Sequence, residues 1–246
     1  MENYKFGERR SYRKYSDKEV KMADVKAMLE EAMHAPTTGN MQLYSVVVTE
    51  DPEVRAALAP SHFCQPATQA PMLSTFCADF NRFEKWCRQR GAEPGFENLQ
   101  SLMSAVFDAT VFAQQFCTIA EMHGLGTCYL GTTTYNARQI AETLELPRRV
   151  VPLLTVSVGW PGEEGEDVGR LPVDAVMHVD RYKDYSAEDI DRLYAEKEAR
   201  ADSKAFVEEN GKETLAQVFT DVRYPKCNNE PFSETFMAFL KEEGFV

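Results

Sequence analysis

The sequence predicts alternating helices and strands of α/β type, and three observations carry that prediction. Apolar residues fall on one helical face at Val25, Met28, Leu29, Ala32 and Met33. The run from Val150 to Val158 is almost uninterruptedly apolar and has the length of a central buried strand. Between them, the stretch from about Glu97 to His123 is long enough for a helix whose second half is apolar on nearly every side.

Each element follows from local chemistry, taken in chain order. Ser16-Asp17-Lys18-Glu19 fits a capping box, so the first helix is expected to start there and to end by Pro36. Leu43 to Thr49, rich in Val and Tyr, reads as a strand, and Met72 to Ala78 as a second. Gly91, Pro94 and Gly95 mark a loop before the long helix, and Gly124-Leu125-Gly126 stops it. An apolar helix of this kind must be buried, and the first reading is a central core helix. Thr127 to Leu130 is a short strand, and Asn136 caps a helix running through Leu144. Gly159-Trp160-Pro161-Gly162 turns the chain into a solvated acidic loop, Glu163 to Asp167. Past Arg181 the composition shifts. Ser186 to Ala205 reads as one charged amphipathic helix with a stop at Asn210-Gly211, and Ser233 to Glu243 as a last short helix.

Composition excludes several classes of partner. A formal net charge of -12 over 246 residues argues against nucleic acid and against an anionic membrane surface. Met1-Glu2-Asn3-Tyr4-Lys5 opens no apolar leader, and no stretch is read as long enough to span a bilayer, so the cytoplasm is the expected compartment. The six cysteines (Cys64, Cys77, Cys87, Cys117, Cys128, Cys227) form no C-x-x-C pair, and with four of them in apolar or aromatic surroundings they read as reduced, buried thiols. His34, His62, His123 and His178 are scattered without ligand spacing, and no metal is expected.

Against that acidic background, Arg9-Arg10-Ser11-Tyr12-Arg13 is a local exception. Planar guanidinium groups match phosphate oxygens bidentately, so three arginines and a serine within five positions suit one small phosphorylated ligand.

Further motifs follow in order: Ala35-Pro36-Thr37-Thr38-Gly39-Asn40-Met41-Gln42, Phe76-Cys77-Ala78-Asp79-Phe80-Asn81-Arg82, Gly124-Leu125-Gly126-Thr127-Cys128-Tyr129-Leu130-Gly131, and Gly159-Trp160-Pro161 with Arg170-Leu171-Pro172. With Arg10-Ser11-Tyr12-Arg13 they resemble the nitroreductase family of flavoproteins. Within it they are most similar to the larger, NADPH-preferring, oxygen-insensitive branch and the related NADPH–flavin oxidoreductases. The resemblance covers most of residues 8 to 182. It implies an α+β fold in place of plain α/β alternation: a three-layer sandwich with a central, mainly antiparallel sheet flanked by helices, in a domain-swapped homodimer. Residues 1–182 would form the FMN-binding core, and 183–246 a C-terminal helical extension completing core and dimer.

The resemblance also implies FMN as cofactor, NADPH or NADH as co-substrate, and a small-molecule electron acceptor such as a nitroaromatic, a quinone or free flavin, in a ping-pong cycle. By residue, it implies that Arg10, Ser11 and Arg13 hold the FMN phosphate, with Arg9 adjacent and Arg170 closing the clamp. Thr37 and Gln42 would lie on the loop that approaches the flavin. Gln65, with Gln69 as rival, would supply an amide, which can both donate and accept. Tyr129, Leu130, Gly131 and Thr132 would offer backbone N–H groups near N5. No side chain is assigned a catalytic proton transfer, because the flavin carries the chemistry. Two positions depart from the branch. Val168-Gly169-Arg170 lacks a lysine common before the arginine, and Thr134 stands where some relatives carry arginine. Arg192, Lys197, Arg200 and Lys204 are candidates for dinucleotide contacts. The rival readings are a non-catalytic flavin-binding or flavin-delivery module of the same fold, and an unrelated acidic interaction protein.

Overall fold

In the computed structural model, which describes residues 5–246, four strands form one sheet in the order β1-β2-β4-β3. The reading of Met1 to Tyr4 as lacking an apolar leader lies outside the described residues. The strands are β1 (Tyr44–Thr49), β2 (Met72–Asp79), β3 (Gly126–Leu130) and β4 (Val150–Gly159). All three pairings are antiparallel, with Val46 opposite Phe76, Ser74 opposite Val156 and Cys128 opposite Ser157. The plain α/β alternation suggested by periodicity therefore gives way to the mainly antiparallel α+β sheet. A buried run such as Val150 to Val158 fits either arrangement, because burial on both faces removes the alternation that betrays an antiparallel strand.

The chain divides into two units, one running to Glu166 and resuming over Phe232–Val246, the other Asp167–Pro231. In the first, α1 (Met22–Ala32) and the 24-residue α4 (Leu99–Met122) cover one face of the sheet. Val25, Met28 and Ala32 meet Phe112, Phe116, Phe76, Met72, Val156 and Val158 there. On the other face, Leu58 of α2 (Pro52–Leu58) and Ile140 of α5 (Ala137–Thr143) pack with Leu73, Cys128 and Leu130. Successive strand residues point to opposite faces, which is why Met72 and Phe76 join one layer and Leu73 the other. The chain end returns to a third cluster, where Phe239, Leu240 and Phe245 meet Leu43, Ala78, Phe80 and Leu102. A buried ion pair fastens that end. Arg149 holds Glu84 of α3 (Asn81–Gln89) at 2.5 Å and donates to the carbonyls of Phe96, Glu243 and Gly244.

Several local expectations change. The first helix begins at Met22, and Ser16 caps nothing, because its amide donates to the Trp160 carbonyl at 2.9 Å while Tyr15 bridges Pro161. Asn136 precedes α5, but its side chain donates to the Ser61 carbonyl at 2.7 Å and leaves the helix end uncapped. The short helices α2 and α3 escaped the sequence reading, although Asp51 caps α2 through the amides of Glu53 and Val54. The expectation that no stretch reaches membrane-spanning length is corrected. Leu99–Met122 is long and apolar enough, but it packs on the sheet with half of its most apolar window buried, as a core helix does. The expectation of buried thiols is met at Cys77, Cys117 and Cys128 but not at the exposed Cys64 and Cys227.

In the second unit the single helix expected from Ser186 divides into α6 (Ala187–Ala199) and α7 (Ala201–Glu209). Arg200 adopts an extended backbone at the break, and its guanidinium binds the Asp202 carboxylate and the Asp167 carbonyl. A short turn, α8 (Leu215–Gln217), runs into a π-helical stretch over Val218–Arg223, and α9 (Lys226–Glu242) begins seven residues ahead of the expected Ser233.

Candidate functional site

The arginine segment is an extended strap on the end of the sheet. Tyr12 donates its amide to the Thr127 carbonyl at 3.1 Å, and Ser11 bridges Glu166. Glycine makes this fit possible at Gly126, where an added Cβ would lie 2.7 Å from Tyr12 Cγ. Arg9 pairs with Glu121 at 3.2 Å, and Glu121 also accepts from the Thr127 hydroxyl at 2.5 Å. Arg13 pairs with Glu166 at 2.6 Å on an exposed edge. Arg10, with Arg9, Tyr12, Gly124, Leu125 and Pro161, lines a cleft of ≈ 230 Å³.

β3, which carries the strap, delivers the next predicted residues directly. Tyr129 bonds Gln114 through its hydroxyl, Leu130 is fully buried, and Gly131 is exposed with nothing within 4 Å of where a Cβ would stand. Thr132 then meets two partners from the loop after α2. His62 Nδ1 lies 3.0 Å from Thr132 Oγ1, and Gln65 Nε2 donates to the same oxygen at 3.4 Å. Gln65 Nε2 also donates to the His62 carbonyl at 3.0 Å. Of the two rival amides, Gln65 is therefore the one joined to Thr132, while Gln69 sits exposed at the end of a 3₁₀ turn. His62 is wholly buried, and burial lowers its pKa to about 4.

Thr37 and Gln42 occupy a different place. Their loop leads into β1, whereas Gly131 and Thr132 follow β3, and these strands are the two edges of the sheet. Three inter-strand spacings separate those edges, about 14 Å. Within one chain, then, the loop is not brought to the strap. It is rigid nonetheless: buried Asp108 of α4 accepts from the Thr38 amide (2.8 Å), the Thr38 hydroxyl (2.9 Å) and the Leu43 amide (3.3 Å). Gly39, Asn40 and Gln42 all take left-handed backbone, and Arg82 donates to the carbonyls of Gln42 and Tyr44.

Arg170 lies in the second unit, exposed, with its guanidinium on the Gly169 carbonyl at 2.6 Å. Gly169 needs its glycine, because φ is +61° and an added Cβ would lie 2.9 Å from Arg200 Nη1. Arg200 thus organises the Asp167–Arg170 turn and is occupied there. Arg192 pairs with Asp189 at 3.4 Å, and Lys197 stands over the Phe219 and Tyr194 rings beside a cleft of ≈ 540 Å³. Among the described residues, no group of three or more His, Cys, Asp or Glu side chains is arranged to hold a metal.

The comparisons with known proteins decide the family. The nitroreductase family model matches residues 7–160, which is more than half of the chain. The chain belongs to the nitroreductase family. Among curated relatives, it is 33% identical over 175 residues to the oxygen-insensitive NADPH nitroreductase of Salmonella typhimurium, covering 71% of each chain. It is 30% identical over 176 residues to the FMN reductase (NADPH) of Bacillus subtilis, covering 70% of this chain and 71% of that one. Among solved structures, an oxidoreductase from Bacteroides fragilis superposes with a TM-score of 0.95 at 51% identity over 97% of each chain. A nitroreductase from B. subtilis superposes with a TM-score of 0.83 at 27% identity, over 97% of this chain and 96% of that one.

The donor set suits the cofactor of a nitroreductase. Cationic and hydroxyl donors stand on the strap, which bonds β3 through Tyr12, and an open glycine turn follows β3 with the Gln65 amide bonded to its Thr132. Sequence reasoning missed His62, Asp108, Arg82 and Glu166 as partners of the predicted residues. Arg82 left a trace as the last residue of a quoted motif, and Asp108 as a lone acid in an otherwise apolar stretch of α4, where a buried polar group demands partners.

Proposed function

We propose that this protein is an FMN-dependent NAD(P)H oxidoreductase of the nitroreductase type, reducing small acceptors such as nitroaromatics, quinones or free flavin. One observation carries the reading: the arginine strap is hydrogen-bonded to β3, and the Gly131–Thr132 turn follows that same strand, with Gln65 bonded to the turn. The names of the relatives, an NADPH nitroreductase and an FMN reductase, support it. When bound, FMN supplies two-electron chemistry, taking a hydride from NAD(P)H and passing both electrons to the acceptor.

The chain's own residues bind and orient. Arg10, Ser11 and Arg13 hold the phosphate with directed hydrogen bonds, and Glu121 fixes Arg9 beside them. Gln65 and the backbone of Tyr129 to Thr132 orient the ring, where fixed donors stabilise charge without reorganising. Residues 1–182 carry this core and 183–246 complete it.

The site is assigned to a homodimer. Thr37 and Gln42 stand on the opposite sheet edge from the strap, so a partner subunit is the natural source of that loop. A stripe at four-residue spacing on α4, namely Leu99, Met103, Phe107 and Val111, leaves large apolar side chains exposed, with Phe107 at 58%. Such a stripe suits a helix-on-helix contact. The cytoplasm, where reduced nicotinamides are available, is the assigned compartment. The test is FMN binding followed by NADPH consumption with a nitroaromatic acceptor. Turnover that requires FMN supports the reading; FMN bound without NADPH oxidation would assign a flavin-delivery module instead.

A further inference from the structure

The loop after α2 contains a buried histidine that the proposed chemistry does not use. His62 is wholly buried, yet it sits in hydrogen-bonding contact with the side chain of Thr132, which is only half-buried. Its position is enforced from several sides. Asn136 donates to the Ser61 carbonyl, Gln65 donates to the His62 carbonyl through both backbone and side chain, and Thr68 ties back to the Gln65 carbonyl. Phe63 and Cys64 complete the turn at φ +54° and +50°, two consecutive non-glycine residues in the left-handed region. Such backbone persists only where the surroundings over-determine it.

The polar atoms of this cluster restrict one another. His62 Nε2 is buried with no hydrogen-bond partner, so the imidazole makes one hydrogen bond, through Nδ1 to Thr132. With its pKa lowered to about 4 by burial, the ring is neutral at pH 7 and carries one proton. Placing that proton on Nε2 would bury an N–H without an acceptor, the rarer kind of orphan in folded proteins. Placing it on Nδ1 makes it a donor to Thr132 Oγ1, beside the Gln65 amide on the same oxygen. A hydroxyl has two lone pairs and one proton. Two donors therefore fill the lone pairs and leave the Thr132 O–H free to point out of the cluster.

We propose that His62 is a positioning residue: through an Nδ1–H bond it turns the Thr132 hydroxyl into an outward donor for the flavin ring seated at the Gly131 turn. This inference rests on the flavin reading above. It assigns to a buried loop histidine the setting of one hydrogen-bond donor at the cofactor, and hence of part of its reduction potential. A donor that strengthens as negative charge develops stabilises reduced flavin over oxidised.

Two measurements test it. The first is long-range ¹H–¹⁵N NMR of ¹⁵N-histidine-labelled protein at pH 7, without FMN and with it. Free imidazole favours the Nε2–H form, so an Nδ1–H pattern for His62 is diagnostic; an Nε2–H or doubly protonated ring overturns the proposal. The second is the midpoint potential of bound FMN in variants. Thr132→Val and His62→Leu are each expected to weaken binding of reduced relative to oxidised FMN about tenfold, a fall of about 30 mV for a two-electron couple. The double variant should fall no further than either single one, because both remove the same donor. His62→Asn, whose amide can donate from near the Nδ1 position, should restore most of the potential and covers the case in which His62→Leu fails to fold. A Thr132→Val potential equal to wild type overturns the proposal. Failure to bind FMN at all would instead defeat the functional reading, while the spectrum of the flavin-free protein still judges the His62–Thr132 bond.

Discussion

Glu166 neutralises Arg13 at 2.6 Å, so a phosphate that recruits Arg13 has to displace a carboxylate. Exposed pairs of this kind contribute only about 0–1 kcal/mol, whereas a charge-assisted bond to phosphate is worth about 1.5–3 kcal/mol. The exchange therefore favours phosphate. Arg13→Ala should lower FMN affinity by tenfold or more and barely move the melting temperature of the flavin-free protein. Glu166→Gln should tighten FMN by a few-fold, because it removes the competitor. Fluorescence titration of FMN reads both variants, and unchanged affinity in Arg13→Ala would remove Arg13 from the clamp. His62 makes a second residue-scale prediction. Its folded pKa, about 4, lies below the unfolded value of 6.5, so between those values the unfolded chain binds more protons. The stability from keeping the ring neutral is complete above pH 6.5 and lost as pH falls toward 4, by about 3 kcal/mol in all. Urea melts across that window should give a slope that disappears in His62→Gln.

At the scale of elements, α4 does two tasks. One face packs on the sheet, and Asp108 reaches from it to fix the loop carrying Thr37 and Gln42. Asp108→Asn exchanges an ionised acceptor of three bonds for an amide, at a cost of about 1–3 kcal/mol, and should weaken FMN binding as the loop loosens. A melting curve and a flavin titration together check it. Arg149 plays the comparable part for the chain end. Arg149→Met takes from buried Glu84 its buried partner, leaving it only the exposed Arg88 at 3.3 Å, and should cost about 3 kcal/mol in denaturant melts. These elements also mark what the sequence could disclose. β1, β2, β3, β4 and α4 were legible because long apolar runs and glycine stops depend on nearby residues only. Helix starts were legible only in part. Ser186 does cap α6, but Ser16 opens no helix, its backbone amide being held by the Trp160 carbonyl, and the Asn136 side chain goes to the Ser61 carbonyl instead of capping α5. The strap and Gly131 lie in ordered motifs and Gln65 was proposed, with Gln69 as rival, from the resemblance, whereas His62 had no such signal, since its contact is with a residue seventy positions away.

At the scale of the whole molecule, one chain holds the strap and the Thr37 loop on opposite edges of its sheet, and the proposed homodimer would supply the missing juxtaposition. Sedimentation should find a dimer. Phe107→Glu, which puts a charge in the exposed apolar stripe of α4, should shift it toward monomer and weaken FMN binding in parallel. A monomeric wild type that binds FMN with full affinity would separate the site from the dimer. The central claim is the oxidoreductase itself, and an anaerobic absorbance titration tests it most directly. FMN-loaded protein should bleach fully with one equivalent of NADPH per flavin and regain its oxidised spectrum when a nitroaromatic is added. Bound flavin that stays oxidised under excess NADPH and excess NADH would contradict the account.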